Sequence, residues 1–175
     1  MSKIYIILMH TRTIPAKLIK LATRANYSHV ALSFEKECNT LYSFGRRNIH
    51  SILNSGFTIE KKKGPFFQAF HQTTCKIYEI DIEEEKYQRI QKIIGEMARH
   101  KTRYKYDFIG LVFRYFKIPI RLKNHYVCSY FIANLLEESG VYAFSKKSYF
   151  VKPKDFENFA IGHEIYQGEY RKYES

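Results

Sequence analysis

The 175-residue sequence predicts an α+β fold in which an antiparallel sheet packs against helices. Two observations carry that prediction. Short β-rich runs with apolar residues at every second position alternate with helical stretches in the order strand, helix, hairpin, strand, helices, strand. Repeated βαβ units are missing from that order, which argues against a parallel sheet. The length suits one domain covering residues 1–175, and no repeat, low-complexity stretch or linker divides it.

The elements follow in order. Residues 3–10 (KIYIILMH) form a β-rich apolar run and read as a strand. Pro15, followed by good helix formers, predicts a helix to about Ala25. Residues 28–35 (SHVALSFE) alternate, with Val30, Leu32 and Phe34 on one side and His29, Ala31 and Ser33 on the other. Polar residues 36–39 turn the chain into a second strand, 40–44 (TLYSF), which Gly45-Arg46-Arg47 is expected to end. Residues 48–63 are mixed, and Gly64-Pro65 marks a loop.

Residues 74–82 (TCKIYEIDI) alternate again and predict a strand. The clearest helix covers 83–100, opening with three glutamates at the positive end of its dipole and carrying Ile90, Ile94 and Met97 at helical spacing. Residues 106–116 predict a second helix, with Asp107 placed to cap it, and 126–139 a third, with Asn124 or His125 at its start. A short helix over 153–159 and a strand over 163–170 complete the reading.

Composition narrows the function classes. The net charge is +12, from 29 Lys plus Arg against 17 Asp plus Glu, which favours anionic partners. Cys38, Cys75 and Cys128 are odd in number and form no CxxC pair, so neither a disulfide framework nor a zinc ribbon is expected. The histidines show no metal-ligand spacing and no glycine-rich nucleotide motif occurs, so neither metal nor cofactor is expected. With no secretory signal and no apolar run near the roughly 20 residues of a membrane span, a cytoplasmic protein is expected.

Two residues point to covalent chemistry. Cys128 falls in the first turn of a predicted helix, where unpaired N–H groups and the dipole favour an anion, so a lowered thiol pKa is expected. Arg121, Lys123 and His125 push the same way. A cysteine among apolar residues fits a core filler equally well. His29, at a strand start, has the right chemistry for a general base if folding sets it beside a thiol.

Residues 27–32 (YSHVAL), 41–46 (LYSFGR), 104–111 (YKYDFIGL), 126–131 (YVCSYF) and Pro153-Lys154-Asp155-Phe156 together resemble the circularly permuted papain-like hydrolases of the NlpC-like superfamily, with the lecithin–retinol acyltransferase group as a more distant likeness. The resemblance implies Cys128 as nucleophile and His29 as base, in the reversed chain order that a permutation produces. Family members carry a third polar group, commonly Glu or His, on the next strand. Ser43 stands there instead, although simple hairpin pairing puts His29 nearer Gly45 or Arg46. Glu60 is the alternative carboxylate. Arg46, Tyr27 and Ser129 are the expected substrate contacts, with Arg46 suited to a carboxylate or phosphate.

The expected function is therefore that of a cysteine hydrolase, an amidase or peptidase acting on an amide, peptide or ester. Its substrate would be a small molecule, a peptide or a lipid-like acyl group, with an anionic part suiting the basic charge. Two alternatives stay open: a lipid acyltransferase or thioesterase of the same fold, and a non-catalytic basic module for nucleic acid or an anionic membrane. No recognised nucleic-acid motif supports the last, whereas peripheral membrane contact is compatible with the charge.

Overall fold

The computed structural model describes residues 1–11, 25–48, 51–116 and 118–174. The helix expected after Pro15 falls almost wholly outside the described residues. Eight strands form one mixed sheet in the order β7-β6-β4-β3-β2-β1-β5-β8. They are β1 (Ser2–His10), β2 (His29–Ser33), β3 (Thr40–Asn48), β4 (Ser51–Lys61), β5 (Thr74–Ile82), β6 (Lys105–Tyr106), β7 (His125–Tyr126) and β8 (His163–Glu169). Among the described residues the helices are α1 (Pro65–Ala69), α2 (Glu84–Arg99), α3 (Phe108–Tyr115) and α4 (Cys128–Glu138).

The fold class is α+β as expected, but the sheet is not antiparallel throughout. β6 and β7 pair in parallel, Lys105 with His125 and Tyr106 with Tyr126. The reason is the connection between them, which contains α3 and carries the chain back to the same end of the sheet. Residues 48–63 hold a further correction. Most of that stretch is β4, and β3 runs on through Gly45-Arg46-Arg47 to Asn48 because β4 supplies its ladder, Tyr42 facing Ile59, Phe44 facing Phe57 and Gly45 facing Gly56. Isolated apolar residues hide such a strand, since its partner, not its own pattern, fixes it. Lys61 ends β4, and its amine donates to Thr40 Oγ1 at 2.7 Å, while Lys62 lies over the Tyr170 and Tyr173 rings.

Alternation along the strands sends side chains to two cores. Val30, Leu32, Phe44 and Phe57 join Ile90 and Ile94 of α2 and Phe131, Ile132 and Leu135 of α4 on one face. Ala31, Leu41, Ile7, Met9 and Ile77 meet Phe67, Tyr170 and Tyr173 on the other. The aromatic packing at α4 is close: Phe131 lies 5.1 Å from Phe44 and 5.9 Å from Phe57, centroid to centroid. Among the described residues no helix is long and apolar enough to cross a membrane.

Asp107 caps α3 as its position suggested, accepting from the Gly110 N–H at 2.8 Å. Its other oxygen accepts from Arg114 Nη2 at 3.1 Å, and both side chains are buried. The Arg114 guanidinium lies 4.1 Å from the Tyr149 ring centroid and 5.2 Å from that of Tyr130, so two aromatic faces cover the cation. Removing one partner of a buried pair strands the other. Asp107→Ala is expected to destabilise the fold by about 3–5 kcal/mol, read as the shift in a urea unfolding curve, and Asp107→Asn, which keeps the cap, by less.

Candidate active site

α4 begins at Cys128, with Val127 as its N-cap and no side-chain cap. Neither Asn124 nor His125 caps it. Asn124 takes a left-handed turn conformation (φ 60°), and His125 belongs to β7. The residues expected to open the helix are used instead to join β7 to the sheet edge. The helix start is pressed onto the sheet by Phe131 and Ile132, whose neighbours include Val30 and Phe44.

That packing brings Cys128 to β2. Its thiol is buried, and the backbone amides of Val30, Ser129 and Cys128 lie near enough to hold its pKa down in part. The Val30 amide belongs to the peptide bond that follows His29. Folding has thus brought the sulfur to the strand that carries an imidazole 99 positions away in the chain (128 − 29), although alternation along β2 assigns His29 to the Ala31 side of the sheet and α4 packs on the Val30 side. Among the described residues no hydrogen bond joins the His29 ring to Cys128 Sγ.

The expected lowering of the Cys128 pKa is corrected. Burial pushes the thiol above its ordinary value, and the three backbone donors and the Arg114 charge offset only part of that. Helix-terminus reasoning counted the donors but could not count the desolvation. The His29 imidazole is partly exposed yet ringed by protein atoms, and burial pushes it down to about 4. At neutral pH the pair is therefore a neutral thiol and a neutral imidazole, the protonation states that general-base activation requires.

Glu60, the alternative carboxylate, lies nearer to His29 than the sequence alone suggests. Counting three residues along each antiparallel strand from the pair Leu32↔Tyr42 places His29 opposite Gly45, one of the two positions that simple hairpin pairing allowed. A Cβ on Gly45 would lie 3.7 Å from His29 Cε1, 3.8 Å from Glu60 Oε1 and 3.9 Å from Thr58 Oγ1. Imidazole and carboxylate thus each lie at ordinary contact distance from the one position of β3 that lacks a side chain. Burial raises Glu60 to about 7, with the Arg46 charge opposing the rise.

Ser43 does not orient His29. Its buried hydroxyl donates to the Val30 carbonyl at 2.6 Å, and the Thr58 hydroxyl donates in turn to the Ser43 carbonyl at 3.3 Å. These bonds supplement the short β2–β3 ladder, so Ser43 is a stitch between strands. Ser129 is corrected likewise: its hydroxyl donates to the Val151 carbonyl at 2.7 Å inside the core, out of reach of a substrate. Tyr27 is buried in the core that α4 shares with the sheet, and packs there instead of facing a ligand.

Arg46 keeps a position suited to substrate. It lines a cleft of about 490 Å³ together with Glu60, Lys61, Lys101, Pro65 and Phe66, and lies 5.6 Å from the Phe70 ring centroid. Arg47 also lines the cleft, but its Nη2 donates to the Lys101 and Tyr104 carbonyls and ties β3 to the chain before β6. Glu60 thus borders both the imidazole and a basic cleft. Hairpin counting put His29 near Gly45 or Arg46 without giving Gly45 a role, and sequence reasoning missed Arg114, which stands out as the lone charge in an apolar helix. Cys38 and Cys75 are buried and pushed up to about 12. No group of three or more metal-ligating side chains occurs among the described residues.

The raised Glu60 carboxyl ionises near pH 7, and its charge then makes the neighbouring imidazole a stronger base. The alkylation rate of Cys128, followed by mass spectrometry from pH 5 to 9, is expected to show a rise centred near pH 7 in addition to thiol ionisation. Glu60→Gln should remove that rise and lower the rate above it about tenfold, one pK unit of lost basicity. An unchanged profile would exclude Glu60 from the site.

Comparison with protein-family models, curated proteins and solved structures found no match for this chain.

Proposed function

We propose that the protein is a cysteine hydrolase, of amidase or peptidase type, in which Cys128 and His29 transfer the acyl group of an amide, peptide or ester. The observation that carries this reading is the packing of α4, which opens at Cys128, against β2, which opens at His29. The reversed chain order and the His strand beneath the Cys helix support a circularly permuted papain-like arrangement. Three unpaired thiols, Cys38, Cys75 and Cys128, are in keeping with a cytoplasmic setting.

In the proposed reaction His29 takes the proton of Cys128 as sulfur attacks the acyl carbon, and the carbonyl π pair moves to oxygen. The backbone N–H groups at the start of α4 are the candidate donors to that oxyanion. The intermediate collapses, the bond to the leaving group breaks, and the imidazolium returns its proton to that group. Water then attacks the thioester, its proton passing through His29 back to sulfur, which restores the thiol. Glu60 orients the imidazole throughout. Arg46 and Lys61 make the cleft suitable for a substrate with a carboxylate or phosphate.

The test uses limiting iodoacetamide on the folded protein near neutral pH. Cys128 is expected to be labelled well before Cys38 and Cys75, and His29→Ala to slow its labelling by about a hundredfold or more. Cys128→Ser should abolish hydrolysis of chromogenic ester and anilide substrates. Equal labelling of the three cysteines, or indifference to His29→Ala, would overturn the assignment.

A further inference from the structure

α3 is built inside out. Its positions toward the protein are Gly110 and Arg114, both buried. Phe108, Ile109, Leu111 and Val112, with Phe116 just past its end, point away from the core, and Ile109, Val112 and Phe116 are 57%, 59% and 65% exposed. At 100° per residue these five share one arc of the helix, while 110 and 114 share the opposite one. A close contact explains the inner face: a Cβ on Gly110 would sit within 1.9 Å of Asp107 Oδ2.

The apolar surface continues beyond the helix. Ile118, Ile120 and Leu122 are all exposed, and the Tyr149 hydroxyl holds this segment by donating to the Ile120 carbonyl. Exposed cations border it on both sides: Lys101, Arg103 and Lys105 before α3, Arg121 and Lys123 after it. Between residues 101 and 125 the sequence has a single acidic side chain, Asp107, and that one is buried against Arg114.

A contiguous apolar face of this kind needs a cover other than water. The cationic border selects the cover, because a second copy of the chain would bring like charges together, whereas anionic headgroups would meet the border as the apolar side chains enter the interface. We propose that α3 and residues 118–122 form an interfacial anchor that docks the protein on an anionic bilayer surface. The anchor goes beyond the acyl-transfer reading and does not depend on it, since it concerns binding and uses neither Cys128 nor His29.

The test is flotation of the full-length protein with phosphatidylcholine vesicles, with and without about 30% phosphatidylserine. Partitioning is expected to be roughly tenfold or more higher on the anionic vesicles and to weaken as salt rises. The double variant Ile109→Asp/Val112→Asp should lose vesicle binding while keeping the wild-type circular dichroism and Tm. Ile109→Ser/Val112→Ser serves the same purpose should the aspartates unfold the chain. Lys101→Glu/Lys123→Glu should remove the preference for phosphatidylserine. Wild-type protein that fails to float with anionic vesicles, or a double variant that floats as well as wild type, overturns the anchor. So does a dimer in gel filtration that Ile109→Asp/Val112→Asp converts to monomer, since the occupant of the face would then be a second copy.

Discussion

The seating of α4 on β2 and β3 is the contact on which the rest of the molecule depends. Phe131 packs edge-on or tilted against Phe44, Phe57 and Tyr126, and Ile132 joins the same core beside Val30. Such aromatic pairs are worth about 0.5–1.5 kcal/mol each beyond their burial, and they fix orientation as well as distance. A helix turned by one residue would rotate by 100° and carry Cys128 away from the Val30 amide. The candidate chemistry is therefore set by an apolar contact three residues along the helix from the sulfur.

Burial then decides the protonation states. It raises the Cys128 thiol, lowers His29 to about 4 and raises Glu60 to about 7. Each shift disfavours the charged form, so all three act in the same direction chemically: the site resists holding isolated charges. A group that becomes charged during a reaction must then be met by donors already in place. The Val30, Ser129 and Cys128 amides and the Arg114 charge oppose the rise at the thiol, and the Arg46 charge opposes the rise at Glu60. A Cβ at Gly45 would meet His29 and Glu60 at ordinary contact distance, so only a side chain longer than alanine's would crowd that space.

α3 couples the sheet edge to the surface. The buried Asp107–Arg114 pair holds the polar side of the helix inward, and the apolar side is left outward as a consequence. Tyr130 and Tyr149, which cover the Arg114 cation, also border the α4 region, and the Arg114 charge acts on Cys128. One buried guanidinium thus links the outward apolar face, the parallel β6–β7 edge and the thiol.

The sequence by itself determined the α+β class, most strands, helices α2 to α4, the Asp107 cap and the identities of the Cys, His and carboxylate to consider. These are legible because side-chain period and capping residues act over a few neighbours. It also put His29 near Gly45 or Arg46, since a short hairpin fixes register locally. Only the tertiary structure engaged Ser43 with the Val30 carbonyl and brought Glu60 to the Gly45 position beside His29, because β4 is ordered by β3 and its own residues scarcely announce a strand. The same holds for Tyr27 and Ser129, whose polar atoms looked available until packing enclosed them. The thiol pKa belongs to this group too: helix position could be counted from residue numbers, but desolvation depends on everything that folding brings around the sulfur.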